Sequence, residues 1–357
     1  MFHPIPATGP EKNHEGAPLG IKAAAHAGGD WIALIDRFGG NLFHAPQWAE
    51  SRRSATSRPL FFRLYGDGGD CLGIAAGIEM WSPAPAIGRF SKQLVFETYP
   101  VVRDDRDELV RTMLQHIIAY AGKHGFRRVE FNSYLTRTSL ERPADLGLET
   151  RRIEFSIDLT RTDDQLFAGF NTHHKRKIKK ALKHDLQFFE SQDTQAMRQF
   201  RELQKHSRDR RLERGESIAV MEDGYYEELG KHYFASDLGT VFMLLHEDRP
   251  VTAAFIAHYG TQALYMYGGS NDTGLQLDAP ILLFSHIFTR CRQRGCRLFN
   301  LGGVPEEARQ PETQLYGLFR FKAGFGGSQR VCQNLTADHL NPGRDKLLNA
   351  LKRLLRR

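Results

Sequence analysis

The chain has 357 residues, 41% hydrophobic and 25% charged. This is an ordinary balance for a soluble globular protein, with length for two units of about 150 residues. No run approaches the ~18 apolar residues of a membrane span. The N-terminal MFHPIPATGPEKNHEGAPLG has no apolar core of a secretory signal, so the expected location is cytoplasmic.

Residues 1–28, rich in Pro, Gly and Ala, are expected to form a flexible arm. DWIALIDRFGG then reads as a helix with Asp30 as cap. LFFRLYG and CLGIAAGIEMW read as paired strands around DGGD. DELVRTMLQHIIAYAGKHG is a helix and RRVEFN a strand. A boundary is placed at 148/149, before the strand RRIEFSIDL.

In the second part, helices are expected at about 163–185, 194–212 and 221–235. The strands TVFMLLH, PVTAAFIAHYG and QALYMYGGS follow. The helix APILLFSHIFTRCRQRG has Asp278 as a plausible N-cap and Pro280 in its first turn. CRLFNLGG and SQRVCQNLT are the last strands, and residues 339–357 form a basic amphipathic helix. The repeated rhythm predicts an α/β protein of two similar lobes in tandem with mixed sheets, 29–148 and 149–338. Cys71, Cys291, Cys296 and Cys332 fit neither a disulfide framework nor a zinc motif. They are read as reduced and structural, and no metal is expected.

The net charge of +7 is local: residues 173–184 contribute +6, the tail 341–357 contributes +5, and the remainder sums to −4. Concentrated positive charge suits a polyanionic partner, and a solvated helix face is the plainer alternative. Phe167, Phe170, His174, Ile178, Ala181 and Leu182 form an apolar stripe at helical spacing. Lys175, Arg176, Lys179, Lys180 and Lys183 lie off that stripe, available to phosphate. In the tail, Leu347, Leu348, Leu351, Leu354 and Leu355 fall opposite the basic groups. That face could pack on the body, or lie on an anionic membrane surface at the inner face of the membrane.

LYMYGGSND, CRLFNLGG and YGLFRFKAGFGG resemble the C-terminal half of the Fem-type aminoacyltransferases. HHKRKIKKALKHDLQ resembles the segment opening their second lobe, and WIALIDRFGGNLFHAPQW the entry to their first. The resemblance spans roughly residues 30–335 and is most specific at LFRFK with GFGG. It implies two GNAT-like lobes flanking a cleft. It also implies transfer of an amino acid from aminoacyl-tRNA to an amine acceptor such as a peptidoglycan precursor, with tRNA held through its phosphates and no other cofactor. No protein nucleophile is required, so catalysis is positioning, amine deprotonation and oxyanion stabilisation. Similar double-lobed GNAT-like proteins act in polysaccharide acylation, which keeps an N- or O-acyltransferase using acyl-CoA as a second reading. A non-catalytic RNA-binding protein on the same fold is the third.

A CoA pyrophosphate turn needs Arg/Gln-x-x-Gly-x-Gly/Ala opening a helix, where backbone N–H groups meet the anion. The nearest match, RFKAGFG from Arg320 to Gly326, is one residue too long and runs into a strand-like segment. Lys322 stands where the Fem-type pattern places a lysine linked to the aminoacyl-tRNA end and the developing oxyanion. A surface lysine is the alternative. Arg320 is a weaker neighbour. Tyr267 and Tyr316 could move a proton at the attacking amine, or simply pack. Gly268, Gly269 and Gly303 could let the backbone approach a ligand. Asp272 and Asp278 are candidate carboxylates for an amine, with a helix cap the plainer reading of Asp278.

Overall fold

The computed structural model describes residues 19–88, 90–136, 149–216 and 224–355. The first part of the chain forms β1 (Gly20–Ala24), α1 (Trp31–Phe38), α2 (Pro46–Ser51), β2 (Ser57–Tyr65), β3 (Cys71–Met80), α3 (Pro85–Gly88), β4 (Gln93–Phe96), β5 (Val101–Val102), α4 (Asp107–Lys123), β6 (Arg128–Phe131) and β7 (Glu149–Asp158). Two short helices follow, α5 (Asp163–Gly169) and α6 (Thr172–Ala181). The rest comprises β8 (Gln187–Ser191), α7 (Thr194–Glu213), α8 (Tyr225–Ala235), β9 (Gly239–His246), β10 (Arg249–Tyr259), β11 (Gln262–Ser270), α9 (Asp272–Gln276), α10 (Ala279–Gln293), β12 (Leu298–Pro305), α11 (Tyr316–Ala323), β13 (Ser328–Ala337) and α12 (Pro342–Leu355).

The α/β tandem read from the sequence is present, and its two halves share one continuous mixed sheet. The strand order is β1-β2-β3-β4-β6-β13-β7-β12-β11-β10-β9-β8, with β5 beside β3. In the first half β2, β3 and β4 are successively antiparallel and β4 pairs parallel with β6 across α4. In the second, β9, β10 and β11 are successively antiparallel and β11 pairs parallel with β12 across α10. Each series is preceded by an edge strand and two helices, β1-α1-α2 and β8-α7-α8. The basic helix α6 therefore belongs to the connector between the repeats.

The closing strands are exchanged. β7 follows β6 in the chain but pairs with β12, while β13 follows β12 and pairs with β6; β7 and β13 run antiparallel side by side. Strand alternation sorts the core. Phe61, Ile74 and Phe255 face a layer shared by α1, α2, α7 and α8, with Trp31, Trp48, Phe200 and Tyr233 buried in it. Phe62, Leu94 and Phe131 face α4, while Ile153, Phe155 and Ile157 face α10 and α11.

Three local expectations change. Gly20–Ala24, placed in the flexible arm, forms edge strand β1, because Ile21 and Ala23 pack on the first-half core. Residues 1–18 of that arm lie outside the described residues. The single helix expected over 163–185 is two helices. Phe170 is extended, and the Asn171 side chain accepts from the His174 N–H at 2.8 Å, a new N-cap. Leu182, placed on the apolar stripe, is 62% exposed because the helix has ended at Ala181.

The tail helix α12 is docked at its start. Asn341 donates to the carbonyls of Gly122 and Phe126, and Asp345 accepts from Arg127 at 3.0 Å. Leu348 is buried and Leu347 exposed. The side chains of Leu351, Leu354 and Leu355 lie outside the described residues. Among the described residues no helix is long and apolar enough to cross a membrane.

Candidate active site

β11 and β12 pair in parallel only from Gln262 to Leu264 against Leu298 to Asn300. Beyond that point both strands carry a bulge, which bends a strand and strengthens its twist. On β11, Tyr267 and Tyr265 oppose consecutive residues of β10, leaving Met266 extra. On β12, Asn300 and Gly303 oppose Ser156 and Glu154 of β7, leaving one residue extra. Gly302 takes φ 73°, and its N–H donates to Asn300 Oδ1 at 2.6 Å. The Asn-Leu-Gly-Gly run is thus the sequence of a bulge whose left-handed residue is glycine.

The two strands part, and a cleft of about 1050 Å³ opens between them. Tyr265, Met266, Tyr267 and Gly268 line it from β11, and Gly302 and Gly303 from β12. Leu315, Leu318 and Lys322 line it from the α11 side, spaced as one helical face. The opposite wall is α7. Arg201, Lys205, Arg208, Arg210 and Arg211, with Arg214 beyond it, line the cleft against the carboxylates Glu202 and Glu216. Several are tethered: Arg211 and Arg214 to Glu216, Arg210 to Asp272, Arg201 to Glu227. Arg208 pairs with Asp209 at 3.0 Å, so the wall's basic groups only slightly outnumber the carboxylates around them.

Lys322 is no surface lysine. It is 5% exposed, and its Nζ donates to the Gly303 carbonyl at 3.1 Å. Burial, then the positive charge of Arg152, brings its ammonium down to about 7, against the opposing pull of Glu154. Arg152 lies behind Gly303. Its guanidinium pairs with Glu154 at 2.6 Å and stacks 3.5 Å over the Tyr134 ring. A Cβ on Gly303 would stand 2.7 Å from Arg152 Nη1 and would displace the guanidinium.

Tyr267 reaches the cleft with its hydroxyl 2.6 Å from that of Tyr225, which accepts from Arg52 Nη1 at 2.9 Å. Burial raises the Tyr267 phenol well above its ordinary value. Gly268 lines the cleft, and its carbonyl accepts from Gln204 of α7 at 2.5 Å. Gly269 serves packing: a Cβ there would lie 2.5 Å from the Leu203 backbone.

Of the residues singled out from the sequence, the structure brings Lys322, Tyr267, Gly268 and Gly303 together in the cleft. Tyr316 and Arg320 share α11 with Lys322 but fall on another face, Arg320 over the Tyr316 ring at 5.8 Å. Lys175, Arg176, Lys179 and Lys180 lie on α6, outside the cleft lining. Lys175 donates to the Ala168 carbonyl, and Lys180 to that of Gln276. The link from α6 to the site is His174, whose Nε2 sits 2.9 Å from the Phe321 carbonyl, one residue before Lys322. Asp278 stands at the N-cap of α10 but makes no cap bond. It takes a left-handed backbone, and its carboxylate pairs with Lys177 at 2.8 Å and Lys180 at 3.2 Å.

The α7 wall escaped the sequence reading. Its basic groups at 201, 205 and 208 follow helical spacing opposite Ala196, Met197, Phe200 and Leu203, but Glu202, Asp209 and Glu213 interrupt the run and hide it. Among the described residues no cluster of His, Cys, Asp or Glu is placed to hold a metal.

Residues 168–322 match a family model described as an acetyltransferase (GNAT) domain. No curated protein matches the sequence. The structure of FemX superposes with a TM-score of 0.69 at 13% identity, covering 92% of this chain and 100% of that one. The chain carries the Fem-type double GNAT fold. Two further structures superpose over most of the chain at lower similarity. L-PGS from Bacillus licheniformis has a TM-score of 0.51 and 16% identity, over 92% of this chain and 96% of that one. A tandem GNAT protein from the clavulanic acid biosynthesis pathway has a TM-score of 0.51 and 12% identity, over 90% and 99%. Within the Fem-type double GNAT fold, the cleft described above lies in the second repeat, where its two parallel strands diverge.

Proposed function

We propose that the protein is an aminoacyltransferase that takes an amino acid from aminoacyl-tRNA and forms an amide on an amine-bearing acceptor. The observation that carries this reading is Lys322, a buried ammonium at the parting of β11 and β12, facing the arginine-rich wall of α7. The acceptor nitrogen attacks the ester carbonyl carbon and a C–N bond forms. The ammonium of Lys322 stabilises the oxyanion that develops. The C–O bond to the ribose then breaks, and the proton leaving the amine is passed to the ribose oxygen. Lys205 and Arg208 suit the phosphates of the tRNA end or of a nucleotide-linked or lipid-linked acceptor. Arg176 and Lys179 on α6 extend that basic surface to the tRNA backbone.

The start of α10 supports an RNA-borne donor over acyl-CoA. That helix N-terminus is where a GNAT pyrophosphate would dock. Here Pro280 removes an N–H, and the buried Asp278 carboxylate already occupies the region with Lys177 and Lys180. The match to a GNAT acetyltransferase domain keeps acyl-CoA as the second reading. The test is incubation with labelled aminoacyl-tRNAs and, separately, labelled acetyl-CoA, followed by mass spectrometry of candidate amines. Label from tRNA in an amide product is expected. Label from acetyl-CoA alone favours the second reading, and RNA binding without any product favours a non-catalytic protein.

A further inference from the structure

Arg52 ends helix α2 in the first repeat, yet its guanidinium bonds to a residue of the second. Its Nη1 donates to the Tyr225 oxygen at 2.9 Å, and the Tyr225 and Tyr267 hydroxyls are 2.6 Å apart. The three groups form a chain from the first repeat, through α8, to a β11 side chain that lines the cleft.

The direction of donation along this chain follows from chemistry. A guanidinium has donors and no acceptor, so the Tyr225 oxygen must accept from it. With its oxygen polarised by a cation, the Tyr225 hydroxyl is a stronger donor and a weaker acceptor. Its hydrogen therefore points to the Tyr267 oxygen. Tyr267 cannot return its own hydrogen along the same line, and that hydrogen is left to point into the cleft. Without Arg52 the two phenols become equivalent partners, and Tyr267 is free to donate to Tyr225 instead.

We propose that Arg52 is a positioning residue for Tyr267: acting through Tyr225, it fixes the direction of the hydrogen-bond chain so that Tyr267 presents its O–H to the substrate. This rests on the acyl-transfer reading of the cleft and adds to it a donor, besides Lys322, for the oxyanion or the departing ribose oxygen. It also gives the first repeat a part in the chemistry of the second. Glu97, half-buried in the first repeat and accepting from Asn132 at 2.9 Å, is the carboxylate whose charge acts on Arg52.

The test uses the full chain with Arg52→Met, Arg52→Lys, Tyr267→Phe and the double variant Arg52→Met with Tyr267→Phe. With aminoacyl-tRNA varied at saturating acceptor, Arg52→Met is expected to lower kcat roughly 10- to 100-fold, the scale of one charge-assisted hydrogen bond, with KM little changed. Arg52→Lys, also a donor without an acceptor, should recover most of the rate. In the Tyr267→Phe background, Arg52→Met should cost nothing further. Tyrosine labelled with 13C at the phenolic carbon gives a readout without substrate: the Tyr225 and Tyr267 signals should both move in Arg52→Met and return in Arg52→Lys. Additive losses, an unchanged kcat, or an unmoved Tyr267 signal would each overturn the proposal. A parent protein that transfers no amino acid overturns the acyl-transfer reading instead, and the labelled-tyrosine signals still decide the direction of the chain.

Discussion

Lys322 and Arg152 sit on opposite sides of the same stretch of backbone. Lys322 donates to the Gly303 carbonyl from the α11 side. Arg152 packs against Gly303 from the other side, anchored by Glu154 and Tyr134. Burial first, and then the positive charge of Arg152, keep the Lys322 proton loosely bound.

This has a kinetic consequence. If the ammonium of Lys322 stabilises the oxyanion, kcat/KM should decline as pH rises through about 7, where its folded pKa lies. Lys322→Met should lower turnover roughly 10²- to 10³-fold with little change in apparent affinity, and the declining limb should vanish. Steady-state rates from pH 6 to 9 check this. A rise in KM for aminoacyl-tRNA at unchanged kcat would make Lys322 a tRNA contact instead.

The same residue should leave a mark on stability. The folded pKa of about 7 lies below the ordinary 10.5. Below about pH 7 both folded and unfolded chains hold the proton, and the full cost of burying the charge is present. Between there and about 10.5 the unfolded chain binds more protons, so stability contributed at this site rises with pH. Lys322→Met should therefore melt above the parent at pH 6, and the gap should close towards pH 10. A gap independent of pH would mean an ordinary lysine.

The two basic surfaces should behave differently. Lys205→Ala with Arg208→Ala, inside the cleft, should raise KM for the substrates. Arg176→Glu with Lys179→Glu, on α6, should weaken tRNA binding and flatten its salt dependence, each lost phosphate contact reducing the log–log slope by roughly 0.7–0.9. Folding should survive, since both α6 residues are exposed beside buried His174 and Ile178. Equal slopes for variant and parent would leave α6 a solvated face.

Gly269→Ala tests how α7 is seated. The new methyl would meet the Leu203 backbone at 2.5 Å, and backbone cannot rotate away. A loss of about 1–3 kcal/mol is expected from overpacking, seen as a lower denaturant midpoint. An unchanged midpoint would show that α7 shifts freely.

Much of this was legible in the sequence because it depends on local pattern. The second-half strands, the helix before LFNLGG and the Phe-Lys pair of α11 are set by periodicity and by a motif. What was hidden depends on chain-distant partners. Tyr316 and Tyr267 look alike in sequence, yet strand β11 points Tyr267 at Tyr225 while α11 turns Tyr316 towards Phe319. Arg152 reads as one residue of an ordinary strand until β12 is laid beside it. The break at Asn171 was readable as an N-cap, but the unbroken basic run suggested one long helix.

The exchange of β7 and β13 sets the order in which the protein can be assembled. During synthesis β6 emerges long before the strand that covers its free edge, because that strand, Ser328–Ala337, follows Arg128–Phe131 only after the whole second series of strands. An open β6 edge is a template for pairing with another chain. The first repeat must therefore persist with an uncovered edge until β13 has been made. A chain cut between the repeats would yield two pieces that each carry the strand closing the other's sheet.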